Sequence, residues 1–392
     1  MNAAIASAEV QEFIYKHKNE NPADIALRGS PFSAVTAAEL AVQINGLKVL
    51  SQKAPEFVRQ GIVYPPSKHI EQASSQQTAI YKRNLIDQNI NSIADITGGL
   101  GLDLFYMSKL IAQRYYCDTN EEVCKLANYN FGVHERKLHV YHENGVEWLS
   151  GLQSPLDVVF IDPDRRSNSK KIILIENSSP NLLAHWDLIL SKAKQVIVKL
   201  SPMLDISYVQ KKLSNIKEIH VVSVKQDVKE LLLVAQQNYS GNSPVVAACI
   251  EGNGVVSQYR TNPTSHELEN KLPTTGKFLF EPYSVLLKSG LHDDFAAEHG
   301  LYKLDVNTHL YTQAQKRNLP LTKTFKVVEE VKLNGKAIRS ITEEDTIDVV
   351  CKNFHLKPAQ VLRKLNMKQG GNFTLYCVTA RNKPHYYLCQ RV

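Results

Sequence analysis

A chain of 392 residues with 43% apolar residues is long enough for two or three cores and too apolar to be a disordered segment. Its net charge is +7. No run approaches the roughly eighteen apolar residues of a membrane span, which argues against a membrane protein.

The first thirty residues carry Glu9, Glu12, Lys16, Lys18 and Glu20 among their apolar positions, a pattern unlike a secretory leader or an acid-poor transit peptide. A cytoplasmic protein is expected. Residues 1–65 read as a helical region: Ile5, Val10, Phe13 and Ile14 form one stripe, and Thr36 with Glu39 forms a capping box ahead of another. From about residue 76 helical and strand patterns alternate, as a parallel α/β sheet requires. Strands are expected at 92–97, 114–117, 137–142, 156–161 and 195–200, with helices between them, among them 76–89, 103–112 and 121–131. The fourth and fifth strands are apolar almost throughout, as strands covered on both faces are. Two strand-like runs, 219–224 and 228–235, are separated only by Lys225-Gln226-Asp227 and predict an antiparallel hairpin. A second hairpin is expected around Gly252-Asn253-Gly254, and a single helix over 282–300. The tail reads strand (346–353), helix from Pro358, strand (372–379), turn at Asn382-Lys383 and strand (385–391). These patterns give three domains: 1–65, 66–240 and 241–392.

Charge is distributed unevenly. Residues 349–392 hold eight Lys or Arg and no Asp or Glu, so residues 1–348, with 38 basic and 39 acidic side chains, carry a net −1. Such a module is suited to a polyanion, and Arg363 and Lys364 are its leading candidates for phosphate contact. The six cysteines are scattered without a C-x-x-C pair and read as reduced thiols; no metal site is expected.

The segment Asp95-Ile96-Thr97-Gly98-Gly99-Leu100-Gly101-Leu102-Asp103 joins the first strand to its helix, and its glycines let the backbone turn beneath a ligand. Asp118, at the end of the second strand, can accept both hydroxyls of a ribose, and Asn144, after the third, can meet an adenine edge. Asp162-Pro163-Asp164-Arg165-Arg166 ends the fourth strand, so four strand ends converge on one crevice. A nicotinamide dinucleotide site needs a third glycine where this chain has Leu104. S-adenosylmethionine has no phosphate, and Asp95 and Asp103 suit its cationic methionine end.

The glycine segment resembles the first motif of class I methyltransferases, with Thr97 at the first glycine position. Together with Ile70-Glu71-Gln72-Ala73-Ser74-Ser75, Asp162 to Arg166, Lys199-Leu200-Ser201-Pro202-Met203-Leu204-Asp205 and Phe280-Glu281-Pro282, it resembles the bacterial methyltransferases with a C-terminal THUMP-like domain. The resemblance covers about residue 65 to the end. It implies an α/β fold: a Rossmann-like class I methyltransferase sheet, preceded by the helical region and followed by an α+β THUMP-like module. It also implies S-adenosylmethionine as cofactor and RNA as the substrate class, without defining which RNA; direct methylation of a base in transfer or ribosomal RNA, at a nucleophile oriented by Asp162, is the expectation.

In methyltransferases that modify amines, the acid before proline orients the nucleophile, which assigns Asp162 and Pro163 to the reaction centre. Those enzymes continue with proline and a stacking aromatic, whereas this chain continues Asp164-Arg165-Arg166, leaving the two arginines for a phosphate or a base face. Lys199 can hold a substrate oxygen or neutralise Asp162 or Asp205. No cysteine lies at 162–166 or 199–205, so a covalent pyrimidine mechanism is not expected. The alternatives are a methyltransferase acting on a protein or small molecule, and a nucleic-acid-binding protein with a degenerate cofactor pocket.

Overall fold

The computed structural model describes residues 2–165, 174–264, 268–274 and 277–392 and divides the chain into two compact units, 1–219 with 230–243 and 220–229 with 244–392. The side chain of Arg165, and Arg166 altogether, lie outside the described residues.

The first unit opens with helices α1 (Ala8–Lys16), α2 (Pro22–Arg28) and α3 (Ala37–Lys53). Thr36 caps α3 reciprocally: its hydroxyl accepts the Glu39 N–H at 3.2 Å while Glu39 Oε2 accepts the Thr36 N–H at 2.8 Å. Ile14, Leu40, Ile44, Leu47 and Leu50 of these helices share one hydrophobic core with Ile93, Leu104, Tyr116, Phe131 and Val158 of the sheet region. Asn130 secures the approach by bonding both the N–H and the C=O of Val63.

The helices α4 (Ser67–Gln72) and α5 (Gln76–Arg83) lead into β1 (Ser92–Asp95), α6 (Leu102–Met107), β2 (Gln113–Asp118), α7 (Glu121–Val133), β3 (His139–His142), α8 (Gly145–Ser150), β4 (Leu156–Ile161), α9 (Leu182–Ser191), β5 (Ala193–Leu200) and α10 (Ile206–Lys212). The hairpin β6 (Ile216–Val224) and β7 (Asp227–Gln236) follows, and these strands neighbour one another in the order β6-β7-β5-β4-β1-β2-β3. Strands β1 to β5 pair in parallel, and β7 joins β5 antiparallel, with Gln195 opposite Gln236 and Leu200 opposite Leu231. Every residue of β4 except Asp157 is buried, as its apolar run requires. The order reverses between β1 and β4, which opens a crevice at their carboxyl ends. The helix expected to reach residue 112 stops at Met107, where Ser108 leaves the helical region.

The second unit contains a hairpin, β8 (Val245–Ile250) and β9 (Val256–Thr261), and a seven-stranded sheet. The sheet is built from β10 (Phe278–Pro282), β11 (Tyr302–Asp305), β12 (Thr308–Gln313), β13 (Thr322–Glu330), β14 (Asp348–Lys352), β15 (Phe373–Ala380) and β16 (Lys383–Arg391), in the order β11-β12-β10-β13-β16-β15-β14. The single helix expected over 282–300 is two, α11 (Ser284–Ser289) and α12 (His292–Glu298), because Gly290 takes φ 75° and turns the chain between them. Helices α13 (Gly335–Thr342) and α14 (Pro358–Leu365) meet so closely that a Cβ at Gly335 would lie 2.0 Å from the Leu365 carbonyl oxygen. The tail's turn sits one residue earlier than expected, with positive φ at Arg381 and Asn382, which leaves Lys383 free to pair with Ala380.

Candidate cofactor and reaction site

Asp95 ends β1 and is spent on its own loop. Its Oδ1 accepts the Thr97 N–H, the Thr97 hydroxyl and the Gly98 N–H, each at 3.0 Å. Burial pushes its carboxyl up to about 7 against those hydrogen bonds. Thr97 also accepts the Asp162 N–H at its Oγ1, at 2.8 Å, and so ties the β1 loop to the end of β4. A glycine at that position would lack this link.

Gly98, Gly99 and Gly101 all have positive φ, and Gly101 in the left-handed region starts α6. A Cβ at Gly98 would stand 2.6 Å from Asp118 Oδ2 and 2.7 Å from the Cys117 carbonyl oxygen, whereas one at Gly99 would meet nothing within 4 Å and would project into open space. Asp118 Oδ2 in turn accepts the Gly99 N–H at 2.9 Å, and its Oδ1 accepts the Asn120 N–H at 2.7 Å. Each oxygen keeps a second lone pair for a ligand hydroxyl. Asn144 caps α8 through the Val146 and Glu147 N–H groups, which fixes its oxygen and leaves its amide N–H₂ as donor.

These residues line a cleft of about 440 Å³ that extends from Asp118, Asn120, Glu143 and Asn144 to Asp103, Asp162, Asp164, Ser179 and Pro180, with His69, Gln72 and Ser74 contributed from α4 and the turn after it. Its charge is lopsided: the described lining includes Asp95, Asp103, Asp118, Glu143, Asp162 and Asp164 and no Lys or Arg.

Behind the lining, two ammonium groups meet this acidity. Lys199 on β5 donates to Asp162 Oδ2 at 2.5 Å and lies 4.0 Å from Asp103 Oδ2. Burial alone would lower Lys199, but Asp162, Asp103 and Glu230 raise it well above the ordinary lysine value. Asp162, 40% exposed at the rim and followed by Pro163, is raised by desolvation in spite of Lys199. Lys199 is thus paired with Asp162, while Asp205 caps α10 through the Tyr208 N–H at 2.8 Å. Lys82 on α5 and Glu230 on β7, which the sequence did not single out, extend the network inward. Their signal was a charge at a position where α5 and β7 otherwise present buried residues, Ala79 on the one and Leu232 and Val234 on the other.

The other expected contacts are elsewhere. Arg363 and Lys364 are exposed on α14 in the second unit. Of the eight tail cations, Lys352 is not unopposed: its Nζ is 2.9 Å from Glu281 Oε1, an acid outside the tail. Tyr376 and Tyr387 of the tail are fully buried in the core of the second unit, and Phe354, Phe373 and Tyr386 pack against a neighbouring cluster. His292, Asp293 and His309 form a group of metal-capable side chains, but Asp293 already gives Oδ2 to Lys303 and Oδ1 to the Tyr311 hydroxyl, both at 2.7 Å.

Residues 278–320 match a ferredoxin-like domain family and residues 322–391 a THUMP domain-like family. The solved structure of a candidate methyltransferase from Porphyromonas gingivalis W83 superimposes with a TM-score of 0.85 over 98% of both chains, at 24% identity, which shows a shared fold. Uncharacterised S-adenosylmethionine-dependent methyltransferases of Mycobacterium tuberculosis, from strains CDC 1551 and H37Rv, are each 23% identical over 220 residues, 54% of this chain. The match spans 57% of the length of those curated relatives.

Proposed function

The chain joins a class I methyltransferase fold to a C-terminal THUMP-like domain, and from that premise we propose that it is an S-adenosylmethionine-dependent methyltransferase that modifies a base in transfer or ribosomal RNA. The observation that carries the proposal is the cleft's charge. A wall of carboxylates with no described Lys or Arg repels a pyrophosphate and attracts a cation. The open space beside Gly99 and the free lone pairs of Asp118 suit a ribose, Asn144 suits the adenine, and Asp103 suits the cationic end, while Asp95 shapes the loop beneath them.

When bound, the cofactor supplies an electrophilic methyl group on a sulfonium. The Asp162 carboxylate, held at Oδ2 by Lys199, accepts a hydrogen bond from the acceptor's N–H or O–H and then takes its proton as the methyl group arrives. Thr97 fixes the Asp162 backbone, and Pro163 stiffens the strand end beyond it. Arg165 and Arg166 are assigned to the substrate.

RNA as substrate is supported by the THUMP domain-like match and by the exposed cations Lys357, Arg363, Lys364 and Lys368 on and around α14. A cytoplasmic place of action belongs to the same proposal; no described helix is long and apolar enough to cross a membrane. The domain division 1–65, 66–240 and 241–392 is proposed as the functional one, with the third domain presenting RNA. The test is nucleoside mass spectrometry of RNA from a deletion strain, followed by restoration with purified protein and S-adenosylmethionine. One methylated nucleoside lost and restored supports the reading; an unchanged profile, with methyl label recovered in protein, overturns the RNA assignment.

A further inference from the structure

The innermost part of the charge network lies outside the lining of the cleft. Lys82 is wholly buried and Glu230 is 4% exposed, yet they connect to the cleft through one chain of contacts. Lys82 Nζ donates to both Glu230 oxygens at 2.8 Å and to Ser74 Oγ at 3.1 Å, and it lies 3.1 Å from Asp103 Oδ1. Ser74 donates to Asp103 Oδ2 at 2.7 Å. Asp103 therefore has Lys82 at Oδ1 and Ser74 at Oδ2, with Lys199 4.0 Å from Oδ2, and is itself part of the cleft lining.

Stability alone gives no reason for this arrangement. A buried ion pair rarely outperforms apolar residues of the same volume, because desolvation offsets the attraction. Here the chain retains a lysine where a methionine would fill the same space. What the lysine adds is a counter-charge at a particular atom. We infer that Lys82, anchored by Glu230, is a positioning residue that holds the Asp103 carboxylate in place as the partner of the cofactor's cationic methionine end. This rests on the methyltransferase proposal and adds two residues to it.

The charged groups facing Asp103 are Lys82 from α5, Lys199 from β5, Glu230 from β7, Asp95 from β1 and Asp162 from β4, with His69 of α4 also on the cleft wall. Burial would raise the Asp103 carboxyl; Lys82, Lys199 and Ser74 outweigh burial and hold it below the ordinary aspartate value. Removing Lys82 takes away the largest influence that lowers Asp103 and leaves Lys199 and Ser74 alone against burial, so its carboxyl shifts upward and attracts a cation less.

The experiment is calorimetric titration of the full chain with two probes: S-adenosylhomocysteine, which carries the methionine-derived ammonium, and 5′-methylthioadenosine, which keeps the adenosine and thioether but lacks the amino acid. Lys82→Met leaves Glu230 unpaired and can fail to fold, so Lys82→Met/Glu230→Leu, which removes both charges, is measured beside it. The expected result is a loss of about tenfold or more for S-adenosylhomocysteine with methylthioadenosine binding unchanged. Relative to the parent, in which Asp95 and Asp162 titrate as well, the loss deepens as pH falls from about 9 to about 6. Equal losses for both probes mean a merely structural role and overturn the inference, as does unaltered S-adenosylhomocysteine binding. A parent that binds neither probe refutes the cofactor reading itself, and this inference falls with it.

Discussion

The two ends of the cleft are built by different physics. At the Asp118 end, carboxylate and amide oxygens accept mostly backbone N–H groups two or three positions away, Asp95 from Thr97 and Gly98, Asp118 from Asn120 and Asn144 from Val146, and only the Gly99 N–H reaches Asp118 from nineteen positions away. At the Asp162 end, side-chain ions meet across long separations; Lys82 and Glu230 are 148 positions apart. The first end gets its shape from backbone conformation, which only glycine can supply. The second gets its charge balance from tertiary placement, so single substitutions there redistribute protons rather than reshape the pocket. This contrast predicts that the Asp118 end governs affinity for the adenosine part of the cofactor, and that the Asp162 end governs affinity for its charged amino-acid end, the chemistry and the pH response.

The largest expected effect breaks the contrast at the reaction end. Asp162→Ala should lower methyl transfer by about a hundredfold or more while S-adenosylhomocysteine affinity stays within about tenfold. Single-turnover rates and calorimetry on the same preparation test this, and retained turnover would remove Asp162 from the mechanism.

At the other end, Gly98→Ala should abolish measurable S-adenosylhomocysteine binding. It places a Cβ against Asp118 and the Cys117 carbonyl at φ 56° and costs about 1–3 kcal/mol of stability. Urea unfolding and calorimetry read the two consequences separately. Asp118→Ala should weaken cofactor binding by about 1.5–3 kcal/mol, through the lost ribose acceptor and a loosened Gly99 turn.

Asp95 sharpens the comparison, because it is an acid of the loop whose ionisation is nevertheless set by burial. Its folded carboxyl titrates at about 7, above the ordinary 3.8, so the folded state holds the proton more tightly and Asp95 costs stability as pH rises from about 4 to about 7. Asp95→Asn keeps an oxygen for the loop donors and removes that titration. The stability of the variant relative to the parent should therefore climb across the same window and level off above it, as followed by thermal unfolding at a series of pH values.

The smallest effect concerns the second unit. Arg363→Glu with Lys364→Glu should reduce the salt slope of RNA binding by about 2, at ~0.9 per phosphate contact, and leave S-adenosylhomocysteine binding unchanged. Filter binding across a salt series measures it, and an unaltered slope would take α14 out of the RNA surface.

Legibility in the sequence follows the same division. The glycine turn, the strand alternation and the β6–β7 hairpin could be read because period, turn chemistry and loop length are local properties. Lys82 could not: α5, with Gln76, Gln77, Lys82 and Arg83, looks like a solvated helix until Glu230 is brought against it from β7. The second role of Thr97, as acceptor for the Asp162 N–H, likewise needed two strand ends side by side. In the second unit the break at Gly290 was hidden by a continuous helical pattern, and strands β10 to β13 had no period strong enough to mark them. Lys352 seemed unopposed only because its partner, Glu281, lies seventy-one positions earlier.

The claim on which all of this depends is that an acidic cleft with no Lys or Arg in its described lining binds the sulfonium cofactor. Calorimetric titration of the purified chain with S-adenosylhomocysteine and, in parallel, with nicotinamide adenine dinucleotide tests it most directly. The account predicts saturable binding of the first at one site per chain, lost in Gly98→Ala, and no heat from the second; binding of the dinucleotide in place of S-adenosylhomocysteine would contradict it.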